Sequence, residues 1–384
     1  MKRRNFFRSL ALGGASVAFS PIVKAAPVVH ADKEKPATNI KAALAIPRNE
    51  HSMPGKYPGK VARTTHPGCI VDGQPSEGIA YEMLRNSMLN LTGKSNLKEA
   101  WLQFVGPDDV IGLKVNPIAG KLLSTSHALT QSIINQLEEA GIPRKNIIIW
   151  DRREADLKES GFTAKNYPDI KIIGTEYPDE NGSYINAEGK FYGEERIDKK
   201  QYFSVDIEGE YDAYTMPFMI NGGKNSYFTK ICTEMVTKII NVPVLKNAGT
   251  TITCCMKNLA FGSITNTARL HGPMWHDTCA SVCAFPPLRD KVVLNIVDGM
   301  IGCFDGGPAA NPQFICHYNT ILAGSDAVAV DRISYDIVIA KRIEEGLQEE
   351  EKAGARTFMD MAQEFQLGVA DKDKIELIET TLQA

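Results

Sequence analysis

Several polar residues stand directly after apolar runs, where a folded chain could use them for chemistry. Lys114 and Asn116 close the run at residues 110–115, and Lys246 closes the one at 238–245. Lys257 and Asn258 follow the stretch 250–255, Asp298 follows 292–297, and Asp326 follows 320–323 with Asp331 five residues further on. Open parallel sheets gather ligands at the carboxyl ends of their strands, so residues in these places are the ones to weigh. Lysines facing aspartates can bind an anionic substrate or hold a divalent metal through carboxylates. They can also supply a lysine whose pKa burial has lowered enough to act as a base. On this reading Lys114, Lys246, Lys257, Asp298 and Asp326 are the candidates for catalysis, and Asn116, Asn258 and Asp331 for substrate binding. The competing reading is that each is a solvated or structurally paired strand end.

A second constellation is richer in soft ligands. His271, His276, Cys279 and Cys283 fall within one short segment, and spacings of three and four bring the last three onto one face if that segment is helical. Imidazole and thiolate together suit a transition metal or an iron–sulfur cluster. The segment has no CxxC pair, and in an exported protein its cysteines could instead bridge to each other or to Cys254 or Cys255, or remain buried thiols. Cys69 and Cys232 lie far away in sequence and read as core residues.

The elements that must position these groups alternate. Short apolar runs at 60–65, 110–115, 146–150, 238–245, 292–297 and 320–323 are interleaved with helical stretches at 76–91 and from Ser124 to Gly141. That alternation predicts an α/β fold, with a largely parallel, covered sheet and helices on both faces. Residues 26–59 read as an extended segment, residues 60–343 as the α/β domain, and 162–223 as a β-rich insertion within it. Residues 344–384 are expected to form a helical tail.

The N-terminus differs from the rest. Lys2, Arg3, Arg4 and Arg8 precede an uncharged stretch over residues 9–23 rich in Gly, Ala and Ser, then Lys24-Ala25-Ala26. This predicts a signal peptide over residues 1–25, too short and too weakly apolar for a retained membrane anchor, with the paired arginines of a twin-arginine signal. The expected partners are that translocation machinery and a small-molecule ligand, and the expected location is periplasmic or otherwise exported.

Composition narrows the classes further. The 384 residues are 43% hydrophobic and 23% charged, enough for a substantial core. The formal charge of -3 becomes more negative still once five basic residues leave with the first 25, which argues against nucleic acid as a partner. Neither nucleotide-binding glycine fingerprint occurs, nor G-x-S-x-G, nor H-E-x-x-H, so nucleotide, lipase and zincin chemistry lack their usual motifs. Gly306-Gly307 reads as a turn.

The same motifs carry a resemblance. DVIGLKVNP, NIIIWDRR, INVPVLKNAGTTITCCMKNLAFG, LNIVDGM and ILAGSDAVAVDR, in this order, resemble the successive motifs of the domain of unknown function 362 family, in its branch with twin-arginine signals. The resemblance runs from about Lys60 to about Ile343 and implies a fold without implying a reaction. Some members carry ferredoxin-type modules, whose CxxCxxC…CP pattern this chain lacks. The expectation is an exported enzyme, in which redox chemistry is favoured by the export route. The alternatives are a non-catalytic ligand- or cofactor-binding protein and a metal-binding protein built on the His/Cys segment.

Overall fold

The computed structural model describes residues 35–187, 192–207, 224–249, 251–272, 274–350 and 353–383. The signal-peptide reading, and the start of the extended segment, lie outside the described residues. Ala37–Ala384 forms one compact unit.

Its framework is a mixed, mostly parallel sheet. Across it run, in spatial order, Glu376–Thr381, Lys60–Thr65, Thr320–Gly324, Val292–Cys303, Lys238–Asn241, Ile111–Lys114, Ile147–Arg153 and Lys171–Glu176. The strands from Val292–Cys303 to Lys171–Glu176 are parallel to one another, and Thr320–Gly324 runs against both of its neighbours, Lys60–Thr65 and Val292–Cys303. Ile111–Lys114, Lys238–Asn241 and Thr320–Gly324 are buried along their whole length, and Ile147–Arg153 as far as Asp151, because both faces are covered, which is why these runs read as apolar text.

Successive side chains go to opposite layers. Ile147 and Ile149 pack with helices Glu77–Thr92 and His127–Ala140, whereas Ile148 and Trp150 pack with helices Cys255–Ser263, Trp275–Cys283 and Ala327–Glu344. Local signals set the helix ends. Ser126 accepts a hydrogen bond from the Leu129 N–H, and Gly141, at φ 100°, supplies the left-handed turn that stops the same helix.

The structure departs from expectation in four places. Lys171–Glu176 falls inside the expected insertion but is the edge strand of the main sheet, paired in parallel with Ile147–Arg153. The separate β-ribbon is formed by Ile197–Ser204 with Asn225–Thr229. The run 238–245 is broken at Val242-Pro243, since proline lacks the N–H a continuous central strand needs. Lys246 thus belongs to a second strand, Val244–Asn247. Residue 344, where the helical tail is expected to begin, is instead the last residue of helix Ala327–Glu344. Finally, the tail holds one helix, Thr357–Glu364, and then the strand Glu376–Thr381, because the Lys60–Thr65 edge offers backbone partners that an isolated amphipathic segment lacks.

Candidate functional site

Three lysines from three elements converge at the carboxyl end of the sheet. Lys114 ends its strand, Lys246 lies in Val244–Asn247 between Thr253 and Cys303, and Lys257 is in the first turn of helix Cys255–Ser263. Their exposures are 1%, 0% and 7%, so all three ammonium groups are out of bulk water. Burial of that degree is costly unless each charge finds a partner or sheds its proton.

Lys114 has found one. It pairs with Asp151, donates 2.8 Å to the Val115 carbonyl oxygen and 3.0 Å to Asn258 Oδ1, and lies over the Trp150 ring. Burial pulls its pKa down and Asp151 pulls it back up. Gly262, one helical turn after Asn258, makes this pairing fit, since a Cβ there would stand 2.2 Å from Lys114 Cε.

The other two lack a carboxylate partner among the described residues. Lys246 Nζ donates 2.8 Å to Asn116 Oδ1, and burial with the neighbouring Lys257 charge brings its pKa to about 7. Lys257 makes a long 3.4 Å bond to Thr253 Oγ1 and lies 5.4 Å from the centre of the Trp275 ring. Burial lowers its pKa to about 8.

A line of asparagines holds these groups in place. Asn258 Oδ1 accepts from Lys114 and from Asn116 Nδ2 at 2.9 Å, and its Nδ2 donates 2.8 Å to Asn241 Oδ1. Asn241 Nδ2 in turn donates 2.9 Å to Asn295 Oδ1, and Asn295 donates to the carbonyl oxygens of Gly324 and Ser325. Asn241 and Asn295 face each other in register across two parallel strands. Because each amide both donates and accepts, the line fixes every rotamer along it.

Lys114, Asn116, Lys257 and Asn258 line a cleft of about 70 Å3 with Asp151, Arg152, Asp156 and His271. Burial and the nearby Asp151 carboxylate push Asp156 up to about 6. Burial, then the Lys257 charge, drives His271 down to about 4, so its ring is neutral. His271 Nδ1 lies 2.9 Å from the Thr267 carbonyl oxygen, which assigns the ring proton to Nδ1 and leaves Nε2 an acceptor.

The expected aspartates do not join the lysine cleft. Asp326 caps helix Ala327–Glu344. One oxygen accepts from Val328 and Ala329 N–H, and the other accepts from Gly59 and Val369 N–H. With four backbone donors on two oxygens it is a structural tie, and it lies outside the lining of the lysine cleft. Asp331 accepts from the N–H groups of Cys255 and Met256 and so anchors the start of the lysine-bearing helix rather than lining the cleft. Asp298 accepts from Ser126 and Met300 N–H and faces a separate cavity of about 540 Å3 with Ser124, His127 and His317.

Helix Trp275–Cys283 carries His276, Cys279 and Cys283, but these three and His271 do not gather. Among the described residues, His271, His276, Cys279 and Cys283 form no group of three with ligand atoms within 4.8 Å. His271 packs on Phe261 and lines the lysine cleft, His276 stacks on Phe358, and Cys279 and Cys283 are buried. One such group exists elsewhere, formed by Cys254, Cys255 and Asp331. All eight cysteines are unbridged.

Sequence reasoning missed Asp151, although it follows the run ending at Trp150 and the strand-end rule points to it. It also missed Asn241 and Asn295, which sit among apolar residues and acquire meaning only through strand register.

The chain is similar in part to known proteins. No curated protein matches it. A crystal structure of a Thermotoga maritima protein from a structural genomics consortium shares 9% identity at a TM-score of 0.38, covering 71% of this chain and 60% of the other. The lactate racemase apoprotein from Thermoanaerobacterium thermosaccharolyticum shares 9% identity at a TM-score of 0.32, covering 73% and 57%. The chain thus spans less than two thirds of either structure's length. Residues 205–336, which carry Lys246, Lys257, Asn258, Asp298, Asp326 and Asp331, match the family model described as domain of unknown function (DUF362).

Proposed function

We propose that the protein is an exported enzyme that binds a small anionic substrate in the lysine cleft. The observation that carries this reading is Lys257, a buried cation that lines the cleft and has no carboxylate partner among the described residues. A bound anion would supply the missing counter-charge. A carboxylate or phosphate group would bring that charge with oxygens able to accept a charge-assisted hydrogen bond from Lys257 Nζ.

In this reading the residues divide the work. Lys114 is already neutralised by Asp151, and its three N–H bonds go to Asp151, Val115 and Asn258, so it fixes the cleft wall beside the ligand. Asn116 Nδ2, which gives one N–H to Asn258, can offer its other to the ligand. Lys257, with its pKa about 8, exchanges a proton with the substrate at its Nζ, and the neighbouring Lys246, with its pKa about 7, holds Asn116 in place through its hydrogen bond to Asn116 Oδ1. Export through the twin-arginine route is supported by the Arg3-Arg4 pair and the short uncharged stretch that follows it.

Proton linkage tests the binding step. An anion beside Lys257 favours its charged form, so the complex must take up protons near pH 8. Calorimetry with malonate and with inorganic phosphate, repeated in buffers of different ionisation enthalpy, should show saturable binding with net proton uptake. Lys257→Met should lose both. Binding without proton uptake, or binding unchanged in that variant, would refute the reading.

A further inference from the structure

We propose that Cys254, Cys255 and Asp331 form a binding site for a thiophilic divalent cation, zinc by preference, at the start of the helix that carries Lys257 and Asn258. The three side chains present one ligand atom each within 4.8 Å of one another and all are buried. The sulfurs of Cys254 and Cys255 are 3.9 Å apart. Two thiolates on a tetrahedral zinc with bonds of about 2.3 Å stand about 3.8 Å apart, so the pair already has the required bite. The separation is almost twice the roughly 2.05 Å of a disulfide.

The carboxylate is placed to complete the set. Each Asp331 oxygen accepts a single backbone N–H, from Cys255 at one and Met256 at the other, which leaves lone pairs for a cation. Those bonds also lock the carboxylate against rotation, the second-shell support that metal ligands need. Another sulfur is close by, since Cys283 lies 3.6 Å from the Met256 carbonyl oxygen in the first turn of the same helix.

Charge selects the ion. Two thiolates and a carboxylate carry three negative charges, so a divalent ion leaves one and a monovalent ion leaves two in an apolar interior, where residual charge is costly. Sulfur donors disfavour calcium and magnesium. On binding, two S–H bonds break, two S–metal bonds form and two protons leave. No oxidant or reductant is involved.

The site is independent of the anion cleft, and its test can be read without any substrate. The reduced full chain, refolded from denaturant with zinc or with cobalt, should hold one ion per chain by elemental analysis. The cobalt form should show thiolate charge-transfer absorption in the near ultraviolet. Cys69→Ser should keep the ion, and the double variant Cys254→Ser, Cys255→Ser should lose it together with the absorption. Should the double variant fail to fold, the excess of proton release on refolding the wild-type chain with zinc over refolding without it decides, with two extra protons per ion expected. A wild-type chain that refolds without retaining an ion, a double variant with undiminished metal, or the absence of that excess would overturn the proposal.

Discussion

Gly262 and Lys114 compete for one space. A Cβ on residue 262 would stand 2.6 Å from Lys114 Nζ and 3.3 Å from Asp151 Oδ1, so the ion pair exists because the helix is bare there. Gly262→Ala should therefore push the ammonium off Asp151. Overpacking of this kind costs about 1–3 kcal/mol, partly offset by alanine's better helix propensity. Urea denaturation should show the net loss. Malonate or phosphate affinity should fall roughly tenfold as Lys114 leaves its place, a loss worth about 1.4 kcal/mol.

Lys246 should give the protein a pH dependence of known sign. Its pKa is about 7 in the folded chain, whereas an unfolded chain holds the ordinary lysine value of 10.5. Between those values the unfolded state binds more protons, so this group makes stability rise with pH from about 7 to 10.5, by at most about 1.4 kcal/mol per unit. The contribution is present above 10.5 and lost as pH falls through 7. Lys246→Met should flatten the difference in unfolding free energy between pH 7 and 9, measured in urea. An unchanged slope would mean that Lys246 is charged and compensated in the folded protein.

Asn258 joins the lysines to the sheet. Asn258→Leu would strip an acceptor from Lys114 and Asn116 and a donor from Asn241, all buried. Leaving such groups unmatched costs about 1–3 kcal/mol each, so a loss of at least about 2 kcal/mol is expected in urea. Anion affinity should fall as well, because Asn116 and Lys114 lose their common anchor. Undisturbed affinity in a destabilised variant would show that the asparagine line serves the core alone.

Asp326 should separate stability from binding. Asp326→Ala orphans the N–H groups of Gly59, Val328, Ala329 and Val369. We expect a loss of about 3 kcal/mol or more in urea, with malonate and phosphate affinity unchanged in whatever remains folded. A selective loss of affinity would return this residue to the site.

The sequence made the lysines legible and hid what they touch. Lys114, Lys246 and Lys257 each follow an apolar run, and a single physical rule about strand ends finds them. Asp326 obeyed the same rule for another reason. An aspartate just ahead of a helical stretch is also a cap, and the four N–H groups it serves include Gly59 and Val369, which no local spacing connects to it. Asn241 and Asn295 were invisible as site residues because their pairing depends on which strands become neighbours. The strand Glu376–Thr381 was read as helix because its partner lies more than 300 residues away, at Lys60–Thr65.

That last pairing bears on how the chain comes to be folded. Lys60–Thr65 is made early in synthesis, yet both its neighbours, Thr320–Gly324 and Glu376–Thr381, arrive 256 and 316 residues later, as the Thr64–Thr320 and Arg63–Glu379 bonds record. A nascent chain therefore holds that strand with two open edges until both partners have been made. Because those partners are so distant in sequence, closure of the sheet is expected to be slow, and the open edges are exposed to wrong pairing in the meantime.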